Sequence, residues 1–164
     1  MEKRHAWHYN TYVPASEPAR LFISRLPETP MIKKHLLAWI PMVFLAILNG
    51  VIRDTTYGQA LSHELAHQVS TITLILIFTV YIWFLSRKWP LHSLVQATAI
   101  GAAWLMLTVA FEFAMGRYMN GLSWVELFRA YDLLSGNLWI MVPLSLGVLP
   151  AVFFLLTRYS KCPG

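Results

Sequence analysis

The chain has 164 residues, 57% of them hydrophobic and 13% charged, with a net charge of +5. A soluble domain carries about 25% charged residues, so an ordinary water-soluble globule is excluded. The lone cysteine, Cys162, leaves no internal disulfide and no Cys-based metal site, and the basic residues flank the apolar blocks, where topology accounts for them without a nucleic acid.

Residues 1–35 read as a polar tail without the apolar core of a secretory signal. Pro14, Pro18, Pro27 and Pro30 oppose one long helix there. A short amphipathic piece around Leu21–Leu26 could lie on lipid with Arg20 and Arg25 toward headgroups, and His5 and His8 read as tail residues. The membrane domain follows over 36–157, as four blocks each near the roughly 20 residues that cross about 30 Å of hydrocarbon. The first span covers about 36–53, and Pro41 is expected to kink it. Asn49 and Arg53, four residues apart, share a face at its end.

Thr56-Tyr57-Gly58-Gln59 has the Thr-x-x-Gln pattern of a capping box, which predicts a second helix from near Tyr57, with a span over about 58–87. Gln59, His63, His67 and Ser70 then fall on one stripe, with Glu64 and Thr71 on its flank. The third span, about 94–116, carries Gly101, Trp104, Thr108 and Glu112 at helical spacing. A short amphipathic helix capped by Ser123 is predicted from Trp124 to about Leu134, with Trp124, Leu127 and Tyr131 on one side. The fourth span covers about 138–156, and residues 158–164 form the C-terminal tail. The fold expected is all-α, a four-helix transmembrane bundle with a short amphipathic helix before the fourth span.

Ten Lys and Arg residues lie in the tails and the loop after the second span, against three (Arg53, Arg117, Arg129) in the other two loops. That bias predicts both termini in the cytoplasm of a cytoplasmic-membrane protein. Asn49, Arg53, His67, Glu112 and Asp132 then meet at one level near the outer face. Ionisable groups at membrane depth are costly, so they tend to pair, face the interior or serve a function.

Three readings of this cluster compete. The foremost is structural: Arg53 or Arg117 pairs with Glu112, Asp132 pairs with Arg129 or caps a helix, and the protein is a structural or accessory membrane component rather than an enzyme. The second is a site that binds or transports a proton, a cation or a small solute through His67 and Glu112, with Arg53 as counter-charge. Four spans then call for oligomerisation, which Gly101 and the alanines around it could support by close helix packing.

The third is a zinc hydrolase. His63-Glu64-Leu65-Ala66-His67 has the H-E-x-x-H spacing that puts two histidines on one zinc ion with Glu64 as general base, and Glu112 or Asp132 would be the third ligand. The motif is short enough to arise by chance. No Gly-rich phosphate loop, Cys-x-x-Cys or bis-histidine pair across two spans points to any other cofactor. The partners expected are the lipid bilayer and a second copy or another membrane protein.

The segments AILNGVIRD, AHQVSTITLILIF, GAAWLMLTVAFEFAMGRYMNGLSW and AYDLLSGNLW together resemble a family of small uncharacterised prokaryotic membrane proteins with four spans. The resemblance covers about Leu36 to Leu156. Its pattern falls on Asn49, Gly50, Arg53, Asp54, His67, Glu112 and Asp132. His63 lies outside it, which counts against zinc. The resemblance implies the four-span architecture and this residue set, and it brings no activity.

Overall fold

The computed structural model describes residues 29–129, 131–132 and 137–159. The readings of Leu21–Leu26, His5 and His8 lie outside them. The described chain is all-helical: α1 Thr29–Leu37, α2 Trp39–Thr55, α3 His63–Lys88, α4 Leu94–Tyr118, α5 Trp124–Arg129 and α6 Met141–Tyr159, with short 3-10 turns at Tyr57–Gln59 and Leu138–Ile140. Four stretches are long and apolar enough to cross a membrane: Met31–Thr55, His63–Lys88, Leu94–Tyr118 and Leu138–Tyr159. They fit a multi-pass membrane protein.

Each long helix buries one stripe. On α3 it is Leu74, Phe78, Ile82 and Leu85, on α4 Ala97, Ile100, Gly101 and Trp104, and on α6 Val142, Leu146, Pro150 and Phe154. The spacing of three and four residues keeps each set on one face. α6 packs against both α4 and α3, and α2 packs along α3. The other faces expose Phe44, Leu76, Val80, Val95 and Met106, an apolar exterior suited to lipid rather than water.

Three helix boundaries depart from the sequence reading. The chain is already helical from Thr29, inside the stretch read as tail. Pro30 falls in the first turn, where a missing N–H costs nothing. Pro41 lacks the N–H that would bond the Leu37 carbonyl, and the helix is interrupted at Ala38. Two carbonyls at that interruption take side-chain donors from neighbouring helices. The Trp104 indole N–H donates to His35 O at 2.9 Å, and the Tyr81 hydroxyl donates to Ala38 O at 3.1 Å. In hydrocarbon, where water cannot replace lost bonds, such donors keep a broken helix satisfied.

The second boundary is the start of α3. Thr56 caps nothing, and its hydroxyl donates back to Ile52 O. Tyr57–Gln59 makes one 3-10 turn, and Ser62 then starts α3 by accepting from Leu65 N at 3.4 Å. Gln59 is therefore off the α3 stripe. The helix predicted from Trp124 to about Leu134 is described over Trp124–Arg129, Tyr131 lies in a turn, and residues 133–134 of that prediction lie outside the described residues. Its N-terminal box is as expected. Ser123 Oγ accepts from Glu126 N at 3.3 Å, while Glu126 accepts from the Ser123 amide and hydroxyl at 2.7 Å each. Those Ser123 bonds hold the Glu126 carboxyl below the usual glutamate range.

Candidate functional site

The polar residues gather where α2 runs into α3 and where α4 meets the approach to α6. Asn49 is buried on the α2 face toward α3, and its side-chain N–H2 donates to Ser70 O at 3.0 Å and Ser70 Oγ at 2.7 Å. One turn on, the Arg53 guanidinium donates through Nε to Asp54 at 2.8 Å and through Nη1 to His67 Nδ1 at 3.1 Å. A guanidinium has only donors, so this bond requires His67 Nδ1 to be the acceptor and places the imidazole proton on Nε2. The His67 ring stands 5.2 Å from the Trp139 ring, tilted by 33°.

Trp139 carries the cluster over to α4. Asn137 Oδ1 accepts from Trp139 N at 3.3 Å and fixes the turn that precedes α6. From there the Trp139 indole N–H donates to Glu112 Oε2 at 3.0 Å, and the Tyr131 hydroxyl donates to the same oxygen. Glu112 Oε1 has no hydrogen bond among the described residues. Tyr131 lies outside the spans, half buried, and its hydroxyl is pushed well above the ordinary tyrosine range, first by burial and then by its bond to Glu112. The connected order is Asp54, Arg53, His67, Trp139, Glu112, Tyr131.

The expected pairing of Glu112 with Arg53 or Arg117 does not occur. Arg53 is committed to Asp54 and His67, and Arg117 donates to Leu122 O at 3.2 Å. Glu112 is served by neutral donors alone. Asp132 is exposed beside Tyr131, its amide bonded to Arg129 O. His63 and Glu64 are also exposed.

Among the described residues, no group of three His, Cys, Asp or Glu side chains is placed to hold a metal ion. Among those residues the H-E-x-x-H pair thus has no third protein ligand, Glu112 is engaged by Tyr131 and Trp139, and His67 Nδ1 faces a cation. These residues do not fit a zinc centre of three protein ligands.

Glu112 lies in the wall of a cavity of about 180 Å³. Its aromatic lining is Trp39, Phe78, Phe111 and Trp139, with Thr108 beside Glu112. All four long helices, or the turn leading into α6, contribute to it. Trp39 is fixed there by its indole N–H, which donates to Thr108 Oγ1 at 3.0 Å, and by an edge contact with Phe111 at 5.9 Å.

The sequence reading places Tyr131 only on one face of the short helix and gives Trp139 no part in the cluster. A signal was available: a Trp or Tyr beside a buried carboxylate needs an acceptor for its own N–H or O–H. Comparison with known protein families, characterised proteins and solved structures gives no match.

Proposed function

We propose that the cluster is a binding site, within the membrane, for a small organic cation. The protein would sit in the cytoplasmic membrane with both termini inside, as the Lys and Arg distribution favours, so that Glu112 would lie toward the outer side. One observation carries this reading: Glu112, on the wall of the cavity, is held by neutral donors and lacks a cationic partner among the described residues.

The lining argues for the kind of cation. A metal ion such as calcium needs six to eight oxygen ligands to replace its water, and this cavity offers a carboxylate and a hydroxyl among aromatic and aliphatic side chains. A weakly hydrated ammonium is stabilised by aromatic faces together with one carboxylate. Passage of such a solute, or of a proton carried with it, would make the protein a transporter.

The test is equilibrium binding of tetramethylammonium to the detergent-solubilised chain, wild type beside Glu112→Gln. Saturable binding that weakens by about 10-fold or more in a folded Glu112→Gln variant, a loss of roughly 1.4 kcal/mol, is the expected result. No binding to the wild type, or binding indifferent to the substitution, would refute it. A structural or accessory role is the second reading, favoured by the Asn49–Ser70 and Trp39–Thr108 bonds, which join one helix to another.

A further inference from the structure

The opposite end of the helices has a larger cavity, about 750 Å³ in volume. It opens between α1, the end of α3, the Pro90–His92 connection and the last turns of α6. Arg87 and Arg158 line it with His35, His92, Ser86 and Thr157, and no Asp or Glu among the described residues does. Neither arginine has a carboxylate partner among the described residues. The Arg87 guanidinium lies over the Trp83 ring at 5.4 Å, and Arg158 lies over Phe154 at 5.0 Å, with one long bond of 3.5 Å to His92 O.

The floor is apolar, formed by Ile82, Leu85, Trp104 and Phe154. His35 is 2% exposed in the wall. Its Nδ1–H donates to the Met31 carbonyl at 3.0 Å, which has no proton to give. The tautomer is thereby fixed, and Nε2 has no hydrogen bond among the described residues. A buried polar ring, two arginines that have no carboxylate partner among the described residues and an apolar floor thus meet in one concavity.

We propose that this cavity binds the phosphate group of an organic phosphate, with Arg87 and Arg158 on the phosphate and the apolar floor under its hydrocarbon part. Guanidinium forks match phosphate oxygens in pairs. A volume of this size falls in the range of organic-ligand pockets and far exceeds a bare ion. The shared chemistry is a phosphate monoester or diester. Its source is either the headgroup of a membrane lipid or a soluble phosphate compound.

The test uses the full chain in an uncharged detergent, titrated with dioctanoyl-phosphatidylglycerol, with dioctanoylglycerol (similar chains, no phosphate) and with inorganic phosphate. Phosphatidylglycerol binds and dioctanoylglycerol does not. The Arg87→Gln/Arg158→Gln variant loses about 30-fold in affinity, and each single variant about 5-fold. Arg117→Gln, at the other end, keeps wild-type affinity.

Competition by inorganic phosphate supports the site and assigns it to a soluble phosphate compound. Binding without such competition supports it and assigns it to lipid. Both arginines are exposed, so the melting temperature should hold, and the single variants carry the test if the double variant does not fold. Equal binding of the two diacyl compounds, no binding of any of the three, or a phosphate preference that survives loss of both arginines would overturn the proposal.

Discussion

Gly101→Ala is the most direct probe of how the helices meet. A Cβ placed on Gly101 would run into the Gly147 carbonyl oxygen and lie 2.9 Å from its carbonyl carbon and 3.3 Å from its Cα. Carbon atoms rest at about 3.5–4.0 Å and the carbonyl oxygen is nearer still, so α4 and α6 must part by roughly 1 Å or more. The obstacle is backbone, which cannot rotate away. Overpacking of this kind costs about 1–3 kcal/mol, against which alanine regains up to about 1 kcal/mol of helix propensity. Gly50→Ala is the matched control: a Cβ there meets nothing within 4 Å, so only the propensity gain remains.

The two variants should therefore differ by about 2 kcal/mol, or roughly 4–8 °C in melting temperature for a chain of this size, Gly101→Ala being the less stable. Tryptophan-fluorescence melts in detergent measure this. Gly147→Ala adds a second control, since its Cβ would meet the end of the Leu105 side chain at 3.0 Å, and a side chain can yield. Equal melting of Gly101→Ala and Gly50→Ala, or equal harm from Gly101→Ala and Gly147→Ala, would refute the backbone contact.

In a double-mutant cycle, Asn49→Ala and Ser70→Ala should couple by about 0.6 kcal/mol, the usual size of a side-chain bond between membrane helices. Additive unfolding free energies would mean the Asn49–Ser70 bond contributes nothing. Ser62→Ala removes the α3 cap and should destabilise by about 1 kcal/mol, whereas Thr56→Ala should not destabilise the start of α3. Amide exchange at Glu64 and Leu65 reads the difference. Tyr131, with its pKa raised in the folded state, keeps a proton that the unfolded chain loses above about pH 10. Its contribution is thus whole below that pH and is lost as pH rises past it, so Tyr131→Phe should flatten the alkaline decline in stability.

The four membrane-length helices were legible because apolar blocks of spanning length leave few alternatives. The start of α3 was not. Thr56 and Ser62 both offer a hydroxyl near the right place, and only the 3-10 turn between them decides which one caps. Partners within the polar end were equally hidden. Charge counting pairs Glu112 with an arginine, but the rotation of α4 and the turn at Asn137 bring Trp139 and Tyr131 to it instead. His35 was hidden for another reason: it sits in a stretch that reads as tail, and only the extension of α1 back to Thr29 buries it.

The commitment of Arg53 is what gives Glu112 its character. Asp54 follows Arg53 directly in sequence, and the salt bridge at 2.8 Å draws the guanidinium to the helix end while Nη1 reaches back to His67. The nearest cation in the connected cluster is then separated from Glu112 by an imidazole and an indole. Had Arg53 reached Glu112, the carboxylate would be neutralised within the protein and the cavity would hold little attraction for a charged solute. With neutral donors on Oε2, Glu112 has a second oxygen without a hydrogen bond among the described residues; on the proposed reading that oxygen serves the ligand and Asp54 is a positioning residue. Asp54→Asn, by freeing Arg53 to move, should weaken tetramethylammonium binding without removing any cavity-lining group. Unchanged binding in that variant would show that the Asp54 bond does not keep Arg53 from Glu112.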